Sequence, residues 1–185
     1  SNLFKHKDEL SLGNDIRIAV ETKNGDIFTK DYLEILKKIT DEAFYINGVD
    51  KARIQSLWTP NVRWIEVTVD GFQGGEVIPP EYDGSQESID LVQHNVLRSG
   101  TLGRLVADNF KSSIIYVPLV DYDPASGQKH DYQEISHQIE TNIRKRFQNE
   151  DVKIYVVGFS KKMGDLLDGA TEVATFFFYG VLLTF

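Results

Sequence analysis

The feature that most constrains the fold is a strand, helix, strand pattern that occurs twice along the chain. In the first copy, apolar residues alternate with polar or small ones over 16–20, which is typical of a strand with one buried face. An apolar stripe at helical spacing follows over 32–43, and Thr29 precedes it as a suitable N-cap. An extended run over 49–58 completes this first unit.

The second copy begins with a nearly continuous apolar run over 113–120, which is predicted to be a strand. Because proline cannot donate a backbone hydrogen bond, Pro118 is expected on an edge strand or at the end of this strand. A helix is predicted next, because apolar residues recur every three or four positions between charged ones. A last strand is predicted over 152–157. The helical stripe consists of Tyr132, Ile135, Ile139, Ile143 and Phe147.

Residues 60–110 separate the two copies and are predicted to form an insertion. The run 62–69 is extended, and with 49–58 it flanks Thr59-Pro60-Asn61, which suits a hairpin or a sharp corner. Its apolar residues change face, so we expect a bulge near Trp64.

The remainder of the insertion is predicted to be a loop and a helix. Six glycines and prolines fall within 70–84, which favours an irregular loop. Ser85 can cap a helix that follows to Leu97, with Ile89 and Val96 on its inner face. The insertion thus supplies an extra strand and helix.

The predicted fold class is α+β. With the insertion set aside, the order of elements matches two split β-α-β units packed as a ferredoxin-like sandwich, in which two helices cover one face of a sheet. We expect this domain to span 15–159, after an N-terminal leader over 1–14.

The composition is that of a folded protein with an acidic surface. The formal net charge of −8 and the sequence pI near 5.0 argue against a nucleic-acid partner, which would require clustered Lys and Arg. The absence of cysteine excludes disulfides, zinc-thiolate sites and thiol nucleophiles.

The C-terminal residues 173–185 are uncharged and strongly apolar. A full membrane span needs about 20 apolar residues, so we expect these to begin a transmembrane helix. An amphipathic helix along the membrane surface is predicted to lead into it, which gives a C-terminal segment of 160–185. A soluble C-terminal helix is the alternative. Because Met163 is the only methionine, Ser1 is not expected to be a native start, and Ser1-Asn2 fits a remnant of tag removal.

Three stretches together resemble the first large periplasmic loop of exporters of the resistance-nodulation-cell division (RND) superfamily, and most closely its MMPL-like branch. They are SLWTPNVRWIEVTVDGFQGGEVIP, GRLVADNFKSSIIYVPLVD and the tail VVGFSKKMGDLLDGATEVATFFFYGVLLTF. The resemblance runs from about Asp15 onward. It rests on the order of parts, a β-α-β domain that leads through an amphipathic stretch into a membrane helix.

The resemblance implies a porter domain of a proton-driven transporter in a bacterial inner membrane, facing the periplasm. Its partners would be the other transmembrane and periplasmic domains of the parent protein and a hydrophobic, lipid-like or drug-like cargo. The proton-carrying residues would lie in other membrane helices. The chain departs from the multidrug branch, whose loops are longer and hold two porter subdomains.

Sequence motifs for catalysis or cofactor binding are weak. His130, His137 and Glu140 could share a cation, but dispersed ligands without a fixed motif are weak evidence for a metal, and solvated helix residues are the favoured interpretation. Asp121 and Asp123 could form an acid-base pair, yet acids also collect in such loops because they favour turns.

Two further catalytic or binding motifs do not match because their residues have the wrong spacing. Ser160 lacks the second glycine of a nucleophile elbow and suits an N-cap better. The glycines at 71, 74 and 75 match no phosphate-binding loop and are predicted to be turn glycines. We therefore predict no enzyme activity, no metal and no cofactor.

The candidate binding surface consists of four aromatic residues around the insertion: Trp58, Trp64, Phe72 and Tyr82. Amphipathic rings there could line a cleft for apolar cargo or meet a neighbouring domain. Alternatively, both tryptophans close the core beneath the insertion. The functional expectation is a porter domain that passes a hydrophobic substrate, and the alternative is a membrane-anchored sensor or interaction module.

Overall fold

The computed structural model describes residues 15–120, 122, 127 and 131–158. Its first strand, β1 (Asp15–Thr22), has fully buried Ile16, Ile18 and Val20, which confirms the predicted alternation. Helix α1 (Lys30–Ala43) begins after Thr29, whose side chain accepts a hydrogen bond from the backbone N–H of Tyr32. The N-cap prediction is thereby also confirmed.

The insertion contains a β-hairpin, formed by β2 (Arg63–Thr68) and β3 (Gly71–Glu76). Helix α2 (Gln86–Arg98) follows it and begins at the predicted cap, Ser85, which accepts a hydrogen bond from the N–H of Ser88.

The second strand, helix, strand unit follows. It consists of β4 (Ser112–Pro118), a helix α3 and β5 (Val152–Gly158). Helix α3 has three consecutive parts: an α-helical Tyr132–Gln138, a π-helical Ile139–Arg144 and a final turn Lys145–Phe147.

Strand β1 lies at the centre of an antiparallel sheet and pairs with β4 on one side and β5 on the other. The outer edge of β4 is also paired, since isolated antiparallel bridges join Val49 to Leu119 and Gln55 to Tyr116. The segment from 49 to 55 therefore lies next to β4, interrupted by a short 3-10 turn, Lys51–Arg53. Together these observations establish an α+β fold with a small antiparallel sheet.

One face of this sheet carries the core. Side chains from β1, β4 and β5 on this face are buried, and α1 and the π-helical part of α3 pack against each other. Their burial removes apolar surface from water, the main favourable contribution to folding. The buried sheet residues are Ile16, Ile18, Val20, Ile115, Val117, Val152 and Ile154.

The structure corrects two predictions about the insertion. The stretch 70–84 is not an irregular loop throughout, because Gly71–Glu76 forms β3 and pairs with β2. Consequently, the run 62–69 makes no hairpin with 49–58, and Thr59-Pro60-Asn61 forms a corner. Gly71 has a φ of +118°, a conformation that favours glycine and permits the tight hairpin turn.

The expected bulge near Trp64 is also absent. The register runs without interruption from Arg63 opposite Glu76 to Thr68 opposite Gly71. The apolar residues of β2 change face because the strand leaves the core after Val62, which is buried, and continues into a hairpin that is largely exposed. The insertion thus supplies two strands and a helix.

No helix within the described part of the chain is long and apolar enough to cross a membrane. The predicted amphipathic and membrane-entry segment, 160–185, lies outside the described residues, as does the leader 1–14.

Candidate functional site

The four predicted aromatic residues occupy three different environments. Trp58 packs against the hydrophobic core, and its indole Nε1 donates a 2.8 Å hydrogen bond to the backbone carbonyl of Leu33 in α1. The Tyr82 ring stands edge-on to Trp58, with 5.4 Å between ring centroids. This pair therefore joins the loop after β3 to α1.

The Tyr82 hydroxyl is buried and has no hydrogen-bond partner among the described residues. Burial raises the pKa of this phenol, and the nearby carboxylates of Glu34 and Asp83 raise it further. Each of these influences favours the neutral hydroxyl, so Tyr82 meets Trp58 as an uncharged side chain.

Trp64 lies instead on the inner face of the hairpin, the face directed towards α2. The guanidinium carbon of Arg98 is 3.3 Å from the centroid of its ring. On β3, Gly75 is opposite Trp64, and a Cβ at that position would lie only 3.1 Å from the indole nitrogen. Gly75 thus leaves room for the indole to cover β3, which explains a glycine within this strand.

Arg98, in α2, connects the Trp64 ring to both the hairpin and α2. Its Nη1 lies 3.1 Å from a carboxylate oxygen of Glu66 in β2, and its Nη2 donates a 2.8 Å hydrogen bond to Oδ1 of Asn95. Asn95 is itself buried and donates through Nδ2 to the carbonyl of Val77. The network fixes the hairpin against α2, with a planar cation stacked on an aromatic ring.

A groove of about 280 Å³ runs between the hairpin and α2. Trp64 and Arg98 form part of its wall, Leu91 contributes apolar surface, and Glu76 and Glu81 add carboxylates. We call this the hairpin groove. Of the four predicted aromatic residues, only Trp64 lines it.

The outer face of the hairpin is apolar and exposed. Ile65 and Val67 of β2 share it with Phe72, which pairs with Val67 across the strands, and Val69 extends the apolar surface at the turn. Phe72 is 82% exposed and Val67 is 74% exposed. Contiguous apolar surface of this kind marks interaction sites in soluble proteins. We call these four residues the hairpin outer face.

The remaining candidate residues form no reactive cluster in the described part of the chain. His137 is exposed, and Glu140 makes an ion pair with Arg144 at 3.3 Å. No group of three His, Asp or Glu side chains that could hold a metal occurs among the described residues. His130, Asp121, Asp123 and Ser160 lie outside them.

In comparisons with known proteins, no family model matches this chain, and no curated protein matches it either.

Proposed function

We propose that this chain is a periplasmic porter-type domain of an exporter of the RND superfamily, related to the MMPL-like branch, with a ferredoxin-like sandwich as its core. The supporting observation is the sheet order, in which residues 49–55, β4, β1 and β5 are neighbours and each contact is antiparallel. Two split β-α-β units produce this order, with the hairpin and α2 inserted between them.

In this proposal the domain admits a hydrophobic or lipid-like substrate and passes it on during export. The hairpin outer face provides the contact with a neighbouring domain of the parent protein. Its side chains are apolar and lack a partner within the described residues, whereas the Trp64–Arg98 stack holds the opposite face on α2. The domain itself carries no energy-coupling role.

The test is an accumulation assay in cells that carry or lack the complete parent gene. Nile red and a panel of lipid-like dyes serve as probes, and an uncoupler dissipates the proton gradient. The proposal predicts that loss of the gene increases accumulation, and that the uncoupler removes the difference. It is rejected if no probe accumulates differently between the two strains.

The hairpin outer face also favours a second candidate function, an extracytoplasmic module that binds a protein partner and transports nothing. Both candidates use the same apolar face. They differ in the remainder of the parent protein, because a transporter requires several further membrane spans and a sensor requires only one or two.

A further inference from the structure

The sheet face opposite the helices bears a shallow, solvent-open cavity of about 330 Å³, whose two arginines are exposed. Strand β1 contributes Arg17, and β4 contributes Ile114 and Tyr116. The remaining wall comes from two segments that pair with the outer edge of β4, one at residue 55 and one at 103–105. We call it the sheet-face cavity. Its lining residues are Arg17, Gln55, Gly103, Arg104, Leu105, Ile114 and Tyr116.

Backbone pairing along β4 brings the wall together from distant parts of the chain. Gln55 pairs with Tyr116, and Leu105 accepts a hydrogen bond from the N–H of Ile114 at 2.8 Å. Gly103 has a φ of +73°, and its N–H donates to the Val106 carbonyl, which makes a tight turn beside Arg104. The cavity wall is therefore fixed by main-chain hydrogen bonds.

Both charged groups that line the cavity are guanidinium groups. Arg104 donates a 2.6 Å hydrogen bond to the neutral Oε1 of Gln55, and no carboxylate of the described residues forms an ion pair with it. Arg17 has a carboxylate 3.4 Å away on Asp15. No acid lines the cavity, although the whole chain has a net charge of −8. Two carboxylates lie just outside the lining: Asp15 beside Arg17, and Asp108, whose Oδ1 would lie 3.7 Å from a Cβ on Gly103. The lining itself carries only positive charge.

The rest of the lining is largely apolar or aromatic. Ile114 and Tyr116 are neighbours along the open face of β4, and Leu105 also lines the cavity although it is almost fully buried. The volume falls within the range of small-molecule pockets, which combine apolar surface with a few polar groups that orient the ligand. An anionic head and an apolar tail match this division.

We propose that the sheet-face cavity binds an amphipathic anion. Arg104 and Arg17 contact its carboxylate or phosphate head, and its apolar part lies along Ile114 and Tyr116. Arginine forks suit both head groups because they present two N–H donors in one plane. The proposed binding depends only on the cavity. Export of the bound molecule would depend on the proposed function as well.

The experiment is isothermal titration calorimetry on the full 185-residue chain with dodecanoate, dodecyl phosphate and dodecanol, each below its aggregation concentration. We expect at least one anionic probe to bind at least tenfold more tightly than dodecanol. The tighter of the two anions identifies the head group. If neither anion binds, or if dodecanol binds equally well, the proposal is overturned.

Variants locate the site. Arg104→Gln should weaken binding of the anionic probe at least tenfold, and adding Arg17→Gln should weaken it further. Arg63→Gln removes an exposed arginine on the hairpin, outside the cavity, and should leave the affinity unchanged. Thermal melting confirms that each variant is folded. Unchanged affinity in folded Arg104→Gln, or an equal loss in Arg63→Gln, would place the probe elsewhere and contradict the proposal.

Discussion

The hydroxyl oxygens of Tyr32 and Ser113 lie 2.7 Å apart, both buried between α1 and the sheet. The Tyr32 hydroxyl also donates to the Val20 carbonyl at 2.7 Å and accepts from the Ser113 N–H at 3.0 Å. One phenol thus connects the start of α1 to both β1 and β4. Burial raises its pKa, so the group stays neutral in the folded chain.

Replacing Tyr32 with Phe should destabilise the fold by about 2 kcal/mol, because it leaves buried polar groups of Val20 and Ser113 without this partner. The measurement is urea unfolding followed by circular dichroism. Tyr45→Phe is the matched control, since Tyr45 is 78% exposed and its substitution should have little effect. Equal stability of the Tyr32→Phe variant and the native chain would contradict this account of α1 docking.

The two tryptophans should respond differently to replacement by Ala. Trp58→Ala should cost about 3 kcal/mol, because the ring packs on the core and donates to the Leu33 carbonyl. Trp64→Ala should cost about 1 kcal/mol, mainly through loss of the Arg98 stack.

Hydrogen exchange distinguishes the two effects. Trp64→Ala should accelerate amide exchange in the hairpin while leaving β1 protected, because Trp64 connects the hairpin to α2. A greater loss of global stability in Trp64→Ala than in Trp58→Ala would show that the roles are reversed.

Phe72→Asp should leave the melting temperature of the chain unchanged, because the ring is exposed. The porter proposal predicts that in the complete exporter the same substitution reduces export of the probes, since a charge would enter an apolar contact. Tyr45→Asp provides the control, as Tyr45 is a similarly exposed aromatic outside the hairpin. If export is normal in Phe72→Asp, the hairpin outer face is not the proposed contact.

The Asp83 carboxylate should make the loop before α2 sensitive to acid. Hydrogen bonds from the side chain and backbone of Ser85 lower the pKa of Asp83 to about 2 from its ordinary value of 3.8. Because the folded-state pKa is lowered, the carboxylate stabilises the fold above pH 3.8, and this contribution disappears as the pH falls through about 2.

Carbon-detected NMR of the Asp83 carboxyl should therefore give a midpoint near 2. Asp83→Asn should lower the melting temperature at neutral pH, with the difference from the native chain vanishing in strong acid. Asp108→Asn, at an exposed acid in another loop, serves as the control. A titration midpoint near 3.8 would show that the Ser85 hydrogen bonds do not form in solution.

Sequence periodicity was sufficient to predict the elements that bury one regular face. The alternation in β1 and the caps at Thr29 and Ser85 agree with the structure because local spacing determines them. The sequence does not predict strand β3, because its glycines indicate a loop. The Asp70-Gly71 dipeptide after an alternating run was the available signal for a hairpin.

The spacing of apolar residues predicts a helix at α3 but does not reveal its π-helical part. Ile135, Ile139 and Ile143 are each four residues apart, and at 100° per residue a regular α-helix would rotate them by about 40° per step. All three are buried, but a drift of this size also fits the apolar stripe of a regular amphipathic helix, so the spacing does not predict the π-helical part.

The candidate sites were harder to predict than the elements. Trp64 was identified, but its stacking on Arg98 depends on how the hairpin packs against α2, which no local pattern encodes. Arg17 and Arg104 are far apart in the sequence and line the same cavity because β1 and the turn at 103–105 lie on opposite sides of β4. Residues of this kind are brought together by the order of strands in the sheet, which local sequence patterns do not specify.

The most direct test of the porter proposal is to sequence the gene that encodes this chain, including the DNA on both sides of the codons for residues 1–185. The proposal predicts that residues after Phe185 complete a membrane span, that several further spans follow, and that a second loop of similar size occurs between them. A frame with only one or two spans and a cytoplasmic signalling domain would contradict transport and favour the sensor.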